Sequence, residues 1–293
     1  MHRAEDFSAE KGEVRRGVEE TLVATFAAHP ETQVREAAKY AVLGSSGHRW
    51  RAITVVAAGT IFRKDALDIV MPTSCSVELA HAASLVLDDL PSMDDAELRR
   101  GKPCTHRVFP SWAVDMTPVY LITLAYQMTL ANPRAPRPQR ADCARALSAA
   151  GLDMITGQVH DVQQDHPENR GEGLIALYTL KSGALYGASG KAGAILCGAS
   201  DEDALPIYDA CVNMGLSMQF MDDVADVEAD VPEVGKRSGM DADKWTAIDW
   251  LGVDGARRRS IDFQEEALAL LDRFGPEARW LRRLIREVSW KTY

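Results

Sequence analysis

The chain has 293 residues, 46% of them hydrophobic and 26% charged, with a formal net charge of −10. That length supports one large core, and the acidic balance argues against nucleic acid as a partner, because phosphate backbones are held by clustered Lys and Arg. Five cysteines, Cys75, Cys104, Cys143, Cys197 and Cys211, stand singly without CxxC pairs, which suits a reducing cytoplasmic setting and no structural zinc.

In chain order, residues 1–16 are charged, lack the apolar run of a signal peptide and read as a flexible extension. No stretch reaches the roughly 18 apolar residues needed to span a bilayer, so stable membrane insertion is not expected. Apolar residues then recur at helical spacing almost throughout, as in Val77, Leu79, Ala80, Ala83, Leu85, Val86 and Leu87, and Gly/Pro joints separate roughly ten to twelve helices. The expectation is an all-α, single-domain helical bundle over residues 1–293. The Pro-rich stretch from Asn132 to Pro138 reads as a helix-to-helix loop within it.

The first of the apolar helices ends in Asp88-Asp89-Leu90-Pro91-Ser92-Met93-Asp94-Asp95. Proline lacks an amide donor and disfavours helix at the preceding residue, so the helix should stop near Leu90 and Asp94 should return on a loop. Carboxylates this dense beside buried surface repel one another unless cations sit between them, and Mg²⁺ suits them because it leaves coordination positions for phosphate oxygens. Glu97-Leu98-Arg99-Arg100-Gly101-Lys102-Pro103 follows, and arginine forks match phosphate in a bidentate way. Further on, His160 and His166 flank Asp161 and Asp165 without a zinc spacing.

A second cluster, Asp222-Asp223-Val224-Ala225-Asp226, puts Asp222 and Asp226 on one helix face, with Gln219 a turn earlier. The C-terminal run around Arg279, Arg282, Arg283 and Arg286 reads as an amphipathic surface helix.

The stretch from Glu78 to Phe109, with DDxxxxD followed by LRRG, resembles the first aspartate-rich region of trans-isoprenyl diphosphate synthases, in particular bacterial and plastid geranylgeranyl diphosphate synthases. The segment from Gly215 to Asp226 resembles their second region. Gly157-Gln158 with Asp161, Lys181-Ser182-Gly183, Gly235-Lys236-Arg237 and Lys244 match further motifs in the same order. The resemblance implies an isoprenoid synthase-like bundle around a deep central cavity, a homodimer, and Mg²⁺, three ions with bound diphosphate. It implies that Asp88, Asp89, Asp94, Asp222, Asp223 and Asp226 hold the metal. Arg99, Lys181, Ser182, Gln219, Lys236 and Lys244 would contact an allylic diphosphate, and His48, Arg49, Arg51, His81 and Arg100 would hold isopentenyl diphosphate.

Positions four and five before Asp88 lie roughly 6 to 7.5 Å along the helix from the metal site. They are Ser84 and Ala83, both small, where family members that stop at farnesyl tend to carry an aromatic, so the resemblance implies a geranylgeranyl product. The chain departs from the family where Gly47-His48-Arg49-Trp50-Arg51 replaces the usual lysine with His48, and where Trp245 and Trp250 follow Lys244. These departures keep a second reading open, a terpene cyclase or irregular prenyl-coupling enzyme that ionises an allylic diphosphate without isopentenyl diphosphate.

Overall fold

The computed structural model describes residues 2–44, 47–163, 170–228 and 245–288. Twelve α-helices occur among them, joined by short connections, with one two-stranded hairpin. Helix α1 (His2–Ala27) repeats an apolar residue every fourth position at Val14, Val18, Leu22 and Phe26, and these side chains are buried together with Phe7. Burial of Phe7 and Val14 corrects the expectation of a flexible extension: an apolar stripe at helical spacing docks this segment on the core.

Helices α2 (Gln33–Leu43) and α3 (Trp50–Gly59) lead to α4 (Ala66–Asp88), which buries Val70, Val77, Leu79, Ala83 and Val86. Within α4, Ser76 Oγ donates to Ala125 O at 2.8 Å and accepts from Thr129 Oγ1 at 2.9 Å, which latches α4 to α6 (Ser111–Leu130). By length and composition α4 is apolar enough to cross a membrane, contrary to the sequence expectation, but most of its apolar stretch is interior to the bundle. Strands β1 (Leu98–Arg99) and β2 (Lys102–Pro103) pair antiparallel around Arg100-Gly101. Both turn residues have positive φ, 52° and 73°, as a primed two-residue hairpin requires. The short α5 (Thr105–Val108) leads from β2 into α6.

The loop from Ala131 to Pro136 joins α6 to α7 (Arg137–Gln163), and Asn132 Nδ2 pins it by donating to Ile69 O at 2.8 Å. After α8 (Arg170–Tyr178) the chain makes one π-helical turn (Thr179–Gly183) and continues as α9 (Ala184–Leu196). Helix α9 is Ala/Gly-rich, buried at every position except Lys191, and packs against α3, α7 and α10 (Asp201–Glu228). A β-carbon on Gly193 would lie 2.0 Å from Val55 O, so only glycine permits this crossing with α3. Helix α10 pairs with α11 (Ala247–Leu270), where Tyr178, Phe220 and Phe263 pack edge to face. Helix α12 (Arg279–Val288) buries Leu281, Leu284 and Ile285 while its arginines stay near the surface. The five cysteines are buried free thiols.

Candidate active site

Asp88 is the last residue of α4 and Asp89 its C-cap, so the helix stops just before Pro91 as expected. The loop folds back because Asp94 N–H donates to Asp88 O and Asp95 N–H to Leu90 O, both at 3.0 Å. Asp88 is half-buried, and its carboxylate accepts no hydrogen bond from the described residues. Burial pushes its pKa up and Asp94 and Asp89 add to this, while Lys181 and Arg99 pull the other way. Asp89 is 4% exposed and already engaged: Arg99 Nε reaches both its oxygens at 2.8 Å, and Nη2 reaches Oδ1 at 2.6 Å. The Cys104 thiol beside it is pushed up to about 12 by burial and by the Asp89 charge.

On α10, Asp222 is half-buried, Asp223 is buried and Asp226 is exposed. Asp223 Oδ2 accepts from Tyr178 OH at 2.6 Å and from the Ala247 N–H at 2.9 Å, and its Oδ1 accepts from Gln219 Nε2 at 3.3 Å. Ser182 Oγ donates to Gln219 Oε1 at 2.9 Å. This relay ties the π-turn, α10, α8 and the start of α11 to one carboxylate. Lys181, on the π-turn, donates to Asp161 Oδ2 at 2.5 Å. The turn and α7 meet at Gly157, where a β-carbon would stand 2.7 Å from Lys181 N.

The third component is cationic. Arg49 is buried, with Nη2 donating to Val42 O at 2.8 Å and Nη1 to Glu78 Oε2 at 3.4 Å, while Glu78 Oε1 takes the Ala52 N–H at 3.1 Å. Arg51 lies over the Tyr186 ring at 4.4 Å. Burial, with Arg99, Arg49 and Arg51, lowers the Arg100 pKa against the pull of Glu78. Burial and the fields of Arg51, Arg100, Arg99 and Arg49 drive His81 well below the ordinary histidine value, so it is neutral at physiological pH. His48 is exposed, stacks on Trp50 at 5.7 Å, and is lowered by burial and by Arg15, Arg100 and Lys11. Four arginines thus converge on His81, two of them paired with Glu78 and Asp89, an arrangement whose chemistry suits an anion.

Tyr186 lies where the two halves join. It is buried, its hydroxyl donates to Met218 Sδ at 3.0 Å, and burial pushes it up to about 12 within the fields of Arg51, Glu78, Asp222 and Arg100. Ala83 is buried, and Ser84 folds its hydroxyl onto His81 O at 2.9 Å, leaving no bulky side chain at either position. Trp245 and Trp250 pack with the aromatic cluster around Phe220, and Trp250 closes on Gly171. Lys236 and Lys244, with Gly235 and Arg237, lie outside the described residues.

Glu78, Tyr178 and Tyr186 were not foreseen as site residues. Glu78 had a signal, a lone carboxylate in an apolar helix; the two tyrosines had none. Among the described residues no three His, Cys, Asp or Glu side chains converge closely enough to cage a metal alone. An unpartnered carboxyl with a raised pKa at the mouth of an arginine cluster instead fits a hard divalent ion shared with phosphate oxygens.

The sequence pattern described as polyprenyl synthetase matches residues 31–258. The chain belongs to the polyprenyl synthetase family. Within that family it is 34% identical to a probable farnesyl diphosphate synthase of Sinorhizobium fredii, over 89% of this chain and 80% of that protein. It is 31% identical to a geranylgeranyl diphosphate synthase of Pseudescherichia vulneris, over 78% and 76% of the two chains. An FPP/GFPP synthase structure from Zymomonas mobilis aligns at TM-score 0.85 with 27% identity, over 97% of this chain and 99% of that one. A Helicobacter pylori geranyltransferase, complexed with magnesium and isoprenyl diphosphate, aligns at TM-score 0.81 with 25% identity over 96% and 95%. Fold and family agree with the trans-isoprenyl diphosphate synthase resemblance, and this polyprenyl synthetase is a prenyltransferase of the farnesyl and geranylgeranyl diphosphate synthase type.

Proposed function

We propose that the protein is a Mg²⁺-dependent head-to-tail prenyltransferase that condenses an allylic diphosphate with isopentenyl diphosphate and releases geranylgeranyl diphosphate. The observation that carries this reading is the unpartnered Asp88 carboxyl facing Lys181 and Arg99, one end of a cluster in which Arg49, Arg51, Arg99 and Arg100 surround His81 two turns back on α4. Asp88 and Asp94 would hold metal on one side and Asp222 and Asp226 on the other. Asp89 and Asp223, expected as ligands too, have their oxygens occupied by Arg99 and by Tyr178, Ala247 and Gln219, so we assign them to positioning.

Bound Mg²⁺ supplies charge neutralisation to a departing diphosphate. Lys181 and Arg99 add fixed positive charge where negative charge develops, which lowers the barrier to ionisation. Arg49, Arg51 and Arg100 hold the second diphosphate, and neutral His81 donates or accepts without adding to the crowd of charge. The face of Tyr186, turned to Arg51, and the apolar side of α4 around Ala83 keep water from the allylic cation. Loss of a proton to the released diphosphate completes the elongated product, and no protein nucleophile is used.

The small pair Ala83 and Ser84 supports geranylgeranyl over farnesyl as the end product. The reading includes a cytoplasmic location and a homodimer; what supports the dimer is the set of apolar side chains on the outward faces of α6 and α7, Trp112, Met116, Val119, Leu152, Ile155 and Val159, at helical spacing. Incubation with Mg²⁺ and allylic diphosphates of increasing length, with and without isopentenyl diphosphate, tests the reaction. A prenyl diphosphate five carbons longer is expected; a hydrocarbon made from the allylic substrate alone would overturn the reading in favour of a cyclase. Ala83→Phe should shorten the product to farnesyl, and an unchanged chain length would refute the role of that position.

A further inference from the structure

His48 stands where the resembled synthases have a lysine, it is kept neutral by its surroundings, and yet a cation does stand beside it. Helix α1 lays Arg15 against this loop, with Arg15 Nη2 donating to Gly47 O at 3.5 Å. The same Gly47 has Arg100 and Arg49 packed over it, since a β-carbon there would lie 3.1 Å from Arg100 Nη1 and 3.5 Å from Arg49 Nη1. Three guanidinium groups, contributed by α1, the α2–α3 loop and the β-hairpin, therefore meet at one residue.

Their charges are unequally answered. Arg49 is paired with Glu78 at 3.4 Å and reaches Glu19 at 3.8 Å. Lys11, a turn before Arg15, sits 5.4 Å from the Trp50 ring on which His48 stacks, but its charge is taken by Glu287 of α12. Arg15 has no carboxylate partner among the described residues. A half-buried guanidinium aimed at a carbonyl, in a cluster of like charge, is held there by the docking of α1 and is stabilised by an incoming anion.

We propose that Arg15 is a substrate-binding residue, supplying to the diphosphate of the homoallylic substrate the positive charge that His48 does not. This rests on the prenyltransferase reading above and adds to it a contribution from α1. The segment that the sequence presented as an extension thereby completes the second substrate's site.

The test is steady-state kinetics on the full-length protein with Mg²⁺, varying isopentenyl diphosphate and the allylic substrate in turn. Arg15→Gln should raise KM for isopentenyl diphosphate about tenfold, the scale of one charge-assisted hydrogen bond, and move KM for the allylic substrate by less than about twofold. His48→Lys placed in the Arg15→Gln background should bring the raised KM back down, because it restores a cation at the same anion. A raised KM for both substrates, uncorrected by His48→Lys, would mean that Arg15 only supports the fold and would refute the assignment. An unchanged KM for isopentenyl diphosphate, in a protein that elongates normally, refutes it equally and leaves the parent reading standing. A wild-type protein that makes no elongated product sinks both.

Discussion

Asp88 and Asp89 are adjacent in sequence and opposite in circumstance. Asp88 keeps a bare carboxyl with a raised pKa, while Asp89 is clamped by Arg99. Asp88→Asn, which keeps the shape and removes the charge, should lower turnover by about two to three orders of magnitude at saturating Mg²⁺. Turnover within a few-fold of wild type would show that the metal site lies elsewhere. His81 gives the site its own pH dependence. Its folded pKa is depressed, so below about pH 6.5 the unfolded chain takes up a proton that the folded chain refuses. Stability should fall as pH drops through that window, by at most about 1.4 kcal/mol per pH unit from this group, and gain nothing from it above. Urea midpoints from neutral pH downward should converge between wild type and His81→Gln; parallel curves would acquit His81. Both aspartate clusters were legible because their chemistry is local, a density of like charge that demands a counter-ion. Glu78, Tyr178 and Tyr186 were illegible because each acts on a residue distant in sequence, and no spacing announces that.

Elements place these residues through a few close contacts. The π-turn at Thr179–Gly183 widens the backbone so that Lys181 can reach Asp161, and it does so in the space that Gly157 leaves free. Gly157→Ala would push a methyl to 2.7 Å from a backbone nitrogen. The expected cost is about 1 to 3 kcal/mol of stability, with loss of activity beyond the loss of folded protein, read by thermal unfolding alongside kcat. A variant as stable and active as wild type would show that the π-turn moves freely. At this scale the sequence was generous about helix ends: Pro91 does stop α4, and Asn132 to Pro138 does lie in and around a helix-to-helix connection. It was silent about the π-turn, since the one extra residue turns the apolar face by about 100° within five residues, too short a stretch for the pattern to register the shift. It misled about residues 1–16, whose high charge outweighed the buried Phe7 and Val14 in a reading by composition.

For the molecule as a whole, two apolar stripes stand out on a surface otherwise mixed in charge and scattered apolar side chains. Trp112, Met116 and Val119 on α6 and Leu152, Ile155 and Val159 on α7 are each more than two-fifths exposed, more apolar side chain than a lone chain ordinarily shows to water. The protein should elute and scatter as a dimer, and Val119→Glu with Ile155→Lys should shift it toward monomer; a wild-type monomer at micromolar concentration would end the dimer proposal. Helix α4 is the counterpart, apolar enough for a bilayer yet spent for the most part on the interior. Its burial is what brings a carboxylate-rich helix end up to the arginines of α3 and the hairpin.

That end also holds a closed couple, Arg99 on Asp89, in the resting protein. Because Asp89 commits its charge to Arg99, the proposed metal is left to the bare Asp88 next door, and the guanidinium is held at one angle beside it. In the proposed prenyltransferase a metal-bearing diphosphate would meet a fixed fork and an open carboxyl at once, a two-part password that a prenyl alcohol would fail before its greasy tail is ever examined.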